Sequence, residues 1–346
     1  MHYLAYGLTL ESDARLPELA DLEPVGNGYS DVTVRLAEAP SILPEVLEVV
    51  QTRTQDDGTP WIRIARTASG YLISEAGIAD FAVDRRGREV VLCRTGPGVC
   101  ELTLRHVLLD WVLALVLCLR GKQVLHASSI VTPRGLCVFA GPSGAGKSTL
   151  AASFVAAGYP VLCDDCLVVE KSAATGCFEC TPAYPGLRLW DDSVDALRLR
   201  THVTQSVAGY MPKHRVVIGE PASGLAAKSL PLARVYCLTR QPRAAGFEMS
   251  RIEPLEGKDA LMELVSRSWM CDPTDKTALV KHFRFFESLA KQVAVRKLHV
   301  PDDIALLPDV RRAVLADLAG ERQTSSDHSK QALPYESHAR PVASQG

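Results

Sequence analysis

Up to about residue 94, apolar and polar positions alternate in the period of half-buried strands. The runs VTVRLAEA at 32–39, PWIRIART at 60–67, GYLISEA at 70–76 and two more around DRRGRE at 84–89 place an apolar side chain at every second position. Breaks carrying Gly and Asp separate them. The spacing predicts a mainly antiparallel β module over 1–100, with the polar stretch 51–59 as a solvated loop.

Over 101–120 the period becomes helical, and Gly121 stands where a helix stop belongs. This helix joins two modules. From 123 the order is strand, break, strand, Gly-rich loop, helix, strand, read from VLHASSIV, LCVFA, GPSGAGKST, LAASFVAAG and YPVLCDD. That order is α/β. LVVE and CFECTP form a hairpin about SAATG, residues 190–199 a helix opened by Asp191 or Asp192, and 233–239 a further strand. Helices fit 258–270, 275–295 and 308–318. After Gly320 the chain is polar and aperiodic, the composition of a disordered tail over 320–346. The expected division is therefore 1–100, 101–319 and 320–346.

Composition narrows the partners. With 346 residues, 47% hydrophobic and 23% charged, the chain has room for two globular modules that bury their own cores. A net charge of −2 argues against nucleic acid or an anionic membrane as partner. Ten cysteines are too sparse for a disulfide scaffold, so reduced thiols in a cytoplasm are expected. The N-terminus lacks the basic start, apolar core and cleavage site of a secretory signal. The longest apolar run, 107–119, contains Asp110 and falls short of the roughly 20 residues that span a membrane, so it reads as a buried helix.

Residues 141–148, GPSGAGKS, fit G-x-x-x-x-G-K-[ST] between an apolar strand and a helix. The glycines let successive backbone N–H groups turn inward on phosphate oxygens, and the helix adds its positive end. Gly141, Ser143, Gly144, Ala145 and Gly146 would form the cradle. Lys147 would reach the β and γ phosphates, Ser148 would offer its hydroxyl to Mg²⁺, and Thr149 would support the α-phosphate region. YPVLCDDC places Asp164 and Asp165 at the end of a strand expected beside the loop's own strand, where open sheets bind ligands. One acid could hold Mg²⁺ while the other accepts a hydroxyl proton, and either assignment is open. His126 precedes the loop on a strand that could pair with LCVFA. Lys213 and Arg215, in the loop-like YMPKHRV, could stabilise phosphoryl charge or simply be solvated. Cys163, Cys166, Cys177 and Cys180 have the spacing of a zinc site, but strand alternation would send the first pair to opposite faces, which favours small buried thiols.

LHASSIV, GPSGAGKST and DD only 17 residues after the loop lysine together resemble the kinase domain of HPr kinase/phosphorylase and the wider HPr-kinase-like proteins. The resemblance is clear over 124–170 and diffuse to about 318. It implies a P-loop kinase domain of the HPr kinase/phosphoenolpyruvate carboxykinase type, preceded by a smaller β-rich domain. It also implies ATP bound by the loop, aspartates that serve Mg²⁺ and a seryl hydroxyl, and a histidine near the site, which here is His126. The N-terminal YGLTLESDARLPEL and the TPAYPGLRLW that replaces the family's Arg-Gly-rich signature look more like the smaller kinases that accompany lasso-peptide and related genes. These phosphorylate a serine of a precursor peptide. The expected activity is thus an ATP- and Mg²⁺-dependent serine kinase acting on a peptide or small protein, with self-association by analogy with the HPr enzymes' hexamer. The competing reading is a nucleotide-dependent switch that hydrolyses ATP and recognises its partner through the β module.

Overall fold

The computed structural model describes residues 1–21, 30–37, 43–55, 57–184, 186–209, 211–217, 229–241 and 251–320. The expected tail over 320–346 lies, but for Gly320, outside them. Among the described residues the fold is mixed α/β with three sheets.

Alternation in the first hundred residues produces one nine-stranded sheet. It runs from Ala20–Asp21 through His2–Ala5, Leu8–Ser12, Val32–Arg35, Glu89–Thr95, Ala79–Asp84, Gly70–Glu75 and Pro60–Thr67 to Val46–Thr54 at the far edge. Every pairing is antiparallel except the two made by Val32–Arg35. The solvated loop expected over 51–59 is shorter than its composition implied. Residues 51–54 extend the edge strand, because a polar strand is acceptable where one side faces water.

The helix expected over 101–120 runs from Glu101 to Leu119 and carries a π segment, Leu108–Val112, in its middle. It is long and apolar enough to cross a membrane, yet most of it is buried. Leu108, Leu109, Val112, Leu113 and Leu115 share one apolar core with Leu10, Val34, Ile64, Phe81 and Val90 of the sheet. Val124, Cys166, Val168 and Trp269 of the second half belong to that core as well.

The second sheet follows the order Gln123–Leu125, Leu167–Lys171, Phe178–Thr181, Leu230–Gln241, Gly135–Ala140, Ala127–Thr132, Val161–Cys163. Ala294–Pro301 pairs with Leu230–Gln241 and also carries Ile252–Leu255. Gly135–Ala140 is buried on both faces. Cys137 and Phe139 pack with Leu150 and Phe154 of the helix Lys147–Val155 and with Val310 and Val314 of Leu307–Gly320. Leu136, Val138 and Ala140 face Ala260 and Leu264 of Gly257–Ser266 and Phe286 and Leu289 of Lys276–Gln292. A small third sheet joins Leu187–Trp190, Met211–Val216 and Val203–Ala208.

Three local expectations are corrected. VLHASSIV is two strands broken at His126, since Gln123–Leu125 pairs with Leu167–Lys171 while Ala127–Thr132 pairs with Gly135–Ala140. The segment 190–199 ends one strand at Trp190 before a short helix, Asp191–Ala196, because Leu187 and Leu189 alternate into the core. YMPKHRV is a strand over Met211–Val216, held between two neighbours, and not a loop.

Candidate functional site

The strand Gly135–Ala140 delivers the chain into the loop 141–148, and the helix Lys147–Val155 leaves it. Gly144 and Gly146 have φ of +78° and +89°, a left-handed backbone that side chains resist, with open space where a Cβ would sit. Gly141 answers a different need, because a Cβ there would lie 3.2 Å from that of Ala145 and 3.3 Å from that of Leu238. Leu230–Gln241 runs parallel to the loop's strand and brings Arg240 to its shoulder, where Nη1 donates to the Gly144 carbonyl at 3.2 Å.

The strand carrying the acids does not lie beside the loop's strand. Val161–Cys163 pairs with Ala127–Thr132, which stands between them, because the tight hairpin Thr132–Gly135 claims the nearer edge. The acids still reach the loop helix. Asp164 is 5% exposed, and its Oδ1 accepts from Ser148 Oγ at 2.9 Å and from Ser128 Oγ, while Oδ2 accepts from the Arg188 backbone N–H at 2.8 Å. Burial and the adjoining Asp165 carboxylate push its pKa above the usual carboxylate range.

Asp165 has the opposite electrostatics. Burial works against its charge, but His126, Arg188 and Lys213 hold its pKa well below the usual range. Its Oδ1 lies 3.0 Å from His126 Nδ1, and Oδ2 accepts from Arg188 Nη1 at 2.7 Å. Its φ of +78° is left-handed, which costs a non-glycine residue free energy and is tolerated where surroundings over-determine the conformation.

Lys147 is 6% exposed and folded back, donating to the carbonyls of Gly141 at 3.1 Å and Pro142 at 3.0 Å and lying 2.9 Å from His126 Nε2. Burial lowers its pKa, while Asp165 and Asp164 oppose the shift. An ammonium can only donate, so His126 Nε2 accepts and Nδ1 carries the proton toward Asp165. The residues 126, 147, 148, 164 and 165 thus form one connected group. Ser148 and Asp164 supply the hard oxygen donors that suit Mg²⁺, an ion bound through one or two carboxylates plus phosphate oxygens.

Other expected residues sit further out. Thr149 Oγ1 meets Ser193 Oγ at 3.0 Å. Lys213 lies over the Trp190 ring, 5.0 Å from its centroid, close enough to act on Asp165. Arg215 donates to the Glu18 carbonyl at 2.7 Å, so its side chain serves a contact with the N-terminal hundred residues rather than a phosphate. The zinc-spaced cysteines are divided, with Cys166 in the core shared with the N-terminal sheet, Cys163 and Cys180 in the other, and Cys177 exposed. Among the described residues no three His, Cys, Asp or Glu side chains are grouped to hold a metal. The sequence pattern marks none of Ser128, Arg188 and Tyr184 as site residues, and Asp110 stands out only as the charge within the apolar run 107–119. Only the two-residue alternation from Arg188 to Trp190 could have marked the arginine.

No family model and no curated protein matches the chain. Among solved structures it is similar to the Hpr(Ser) kinase/phosphatase from Coxiella burnetii, at 12% identity and a TM-score of 0.26, over 56% of this chain and 97% of that one. A likeness this slight assigns no family, and the functional reading rests on the geometry of the site.

Proposed function

We propose that the chain is an ATP- and Mg²⁺-dependent kinase that transfers a phosphoryl group to a serine hydroxyl of a peptide or small protein in the cytoplasm. In this reading its second half is a P-loop kinase domain of the HPr kinase/phosphoenolpyruvate carboxykinase type. The observation that carries it is the meeting of Ser148 Oγ and Asp164 Oδ1 at 2.9 Å, at the start of the loop helix and beside a second, ionised aspartate. The serine and peptide class of the acceptor comes from the resemblance of LHASSIV, GPSGAGKST and DD.

The loop amides and Lys147 hold the phosphates, with Lys147 released from the Gly141 and Pro142 carbonyls to do so. Ser148 and Asp164 would hold Mg²⁺, which when bound supplies positive charge against the β and γ oxygens. Asp165 orients the acceptor hydroxyl. As the seryl oxygen bonds to the γ-phosphorus, the bond from phosphorus to the bridging oxygen breaks, ADP leaves, and the hydroxyl proton passes to Asp165. His126 keeps Asp165 in place through its Nδ1–H.

The test is γ-labelled ATP with Mg²⁺ and a pool of lysate peptides. Label on serine is expected, with Lys147→Ala lowering the rate by a factor on the order of 10² or more and leaving the melting temperature near wild type. Undiminished transfer by Lys147→Ala would sink the assignment. Label appearing only as free phosphate would favour the ATP-hydrolysing switch.

A further inference from the structure

We infer that Arg188, gripped from behind by Asp110, is a positioning residue that fixes the catalytic aspartate Asp165. The inference deepens the kinase reading and rests on it.

Arg188 lies on the strand Leu187–Trp190 with a side chain 9% exposed, where a guanidinium has to be paired to be tolerated. Its pairs are specific. Nη1 donates to Asp165 Oδ2 at 2.7 Å and forms an ion pair with Asp110 Oδ1, while Nη2 donates to the Tyr184 hydroxyl. The Tyr184 ring lies beneath the guanidinium, 5.7 Å from centroid to Cζ. The backbone N–H of the same residue donates to Asp164 Oδ2 at 2.8 Å. One residue therefore touches both acids.

Asp165 needs such a hold. Its left-handed backbone is unfavourable for an aspartate, and two groups pin its carboxylate, His126 on Oδ1 and Arg188 on Oδ2. If the guanidinium were free to turn, that strain would favour a relaxed backbone with the carboxylate moved from the loop.

Asp110 is what denies the guanidinium that freedom. It sits in the π segment Leu108–Val112, between residues buried in the apolar core, and is itself only 10% exposed. A carboxylate in such a place contributes nothing to apolar burial. Its partners are Arg188 and, at 3.0 Å, His106 Nδ1. Single π turns within α-helices concentrate at functional positions, and this one sends a carboxylate from the joining helix toward the acids. Nη1 meets both carboxylates while Nη2 holds the Tyr184 hydroxyl, a set of directed contacts from one planar guanidinium that a lysine point charge does not reproduce.

The test uses the full chain with three substitutions, Asp110→Asn, Arg188→Lys and Tyr184→Phe. Phosphoryl transfer to the peptide pool gives kcat, equilibrium binding of ATP with Mg²⁺ gives Kd, and thermal melting reports the fold. Asp110→Asn and Arg188→Lys should lower kcat by about 10- to 100-fold, the scale of a small misplacement of reacting groups. Tyr184→Phe should lower it less. ATP Kd should stay within about twofold for all three, because none of these side chains contacts the loop. Unchanged kcat in folded Asp110→Asn overturns the proposal, as does a loss of kcat matched by equal loss of ATP affinity. If Asp110→Asn does not fold, Arg188→Lys and Tyr184→Phe decide by the same criteria. Absence of transfer by the wild type overturns the kinase reading and this inference with it. Wild-type transfer with unaltered variants overturns this inference alone.

Discussion

Asp164 and Asp165 are adjacent in the chain and opposite in electrostatic state. Burial raises the first, and a histidine, an arginine and a lysine hold down the second. The pair was legible as a motif, but the difference depends on Arg188, which is 23 residues from Asp165 in the chain, and on His126 at a strand break. A third titrating residue lies outside the site. His282 is 4% exposed, with Nδ1 bonded to Gln123 Oε1 at 2.9 Å and Nε2 to Ser268 Oγ at 2.7 Å, and burial lowers its pKa to about 4. The folded chain keeps this ring neutral while the unfolded chain takes up a proton below pH ~6.5. Its contribution to stability is therefore full above pH ~6.5, is lost as pH falls toward about 4, and is level below that. His282→Gln should flatten the slope of unfolding free energy against pH in that window, measured by urea denaturation. An unchanged slope would refute the attribution.

At the level of elements, strong periodicity served well. The run 60–67 is the strand Pro60–Thr67, and 275–295 contains the helix Lys276–Gln292. That helix also has a legible start, since Asp275 accepts from the backbone N–H groups of Thr277 at 2.9 Å and Ala278 at 3.0 Å. Asp275→Ala should cost about 1 kcal/mol of stability, read from the urea midpoint. A shift below about 0.3 kcal/mol would deny the cap its role. Periodicity failed where a segment was short. The pattern predicts a helix over 190–199 and a loop at YMPKHRV, yet Leu187–Trp190 and Met211–Val216 pair with each other as strands. Their partners are more than 20 residues apart, and nothing local records that pairing.

Across the whole molecule, the helix Glu101–Leu119 contributes more to the N-terminal core than its place in the sequence implied. Leu108, Leu109, Val112, Leu113 and Leu115 each lose nearly all exposure against the first sheet and its neighbours. Burying each such side chain is worth about 1.5–3 kcal/mol, so uncovering five of them removes a sum comparable with the roughly 5–15 kcal/mol that holds a domain together. Polar contacts tie the same halves. Arg66 reaches Asp272 at 2.5 Å, Tyr71 reaches it at 3.0 Å, and Arg105 pairs with Glu18 at 3.0 Å. A fragment beginning at residue 101 should therefore aggregate or lack cooperative unfolding, while the whole chain melts in one transition. A soluble fragment that unfolds in one cooperative transition would show that the second half is self-sufficient.

By itself the sequence determined the strands near 32–39, 60–67, 70–76 and on either side of 84–89, the α/β order after residue 123, and the loop with its lysine, serine and following acids. These are local, since period, glycine and spacing act within a few residues of chain. Tertiary structure alone decided that Ala127–Thr132 stands between the loop strand and the acid strand, that Lys147 rests on His126, and that Arg188 and Asp110 meet beside Asp165. Each of those depends on two segments that approach only after both halves have packed, and on buried charges whose cost is offset only in that arrangement.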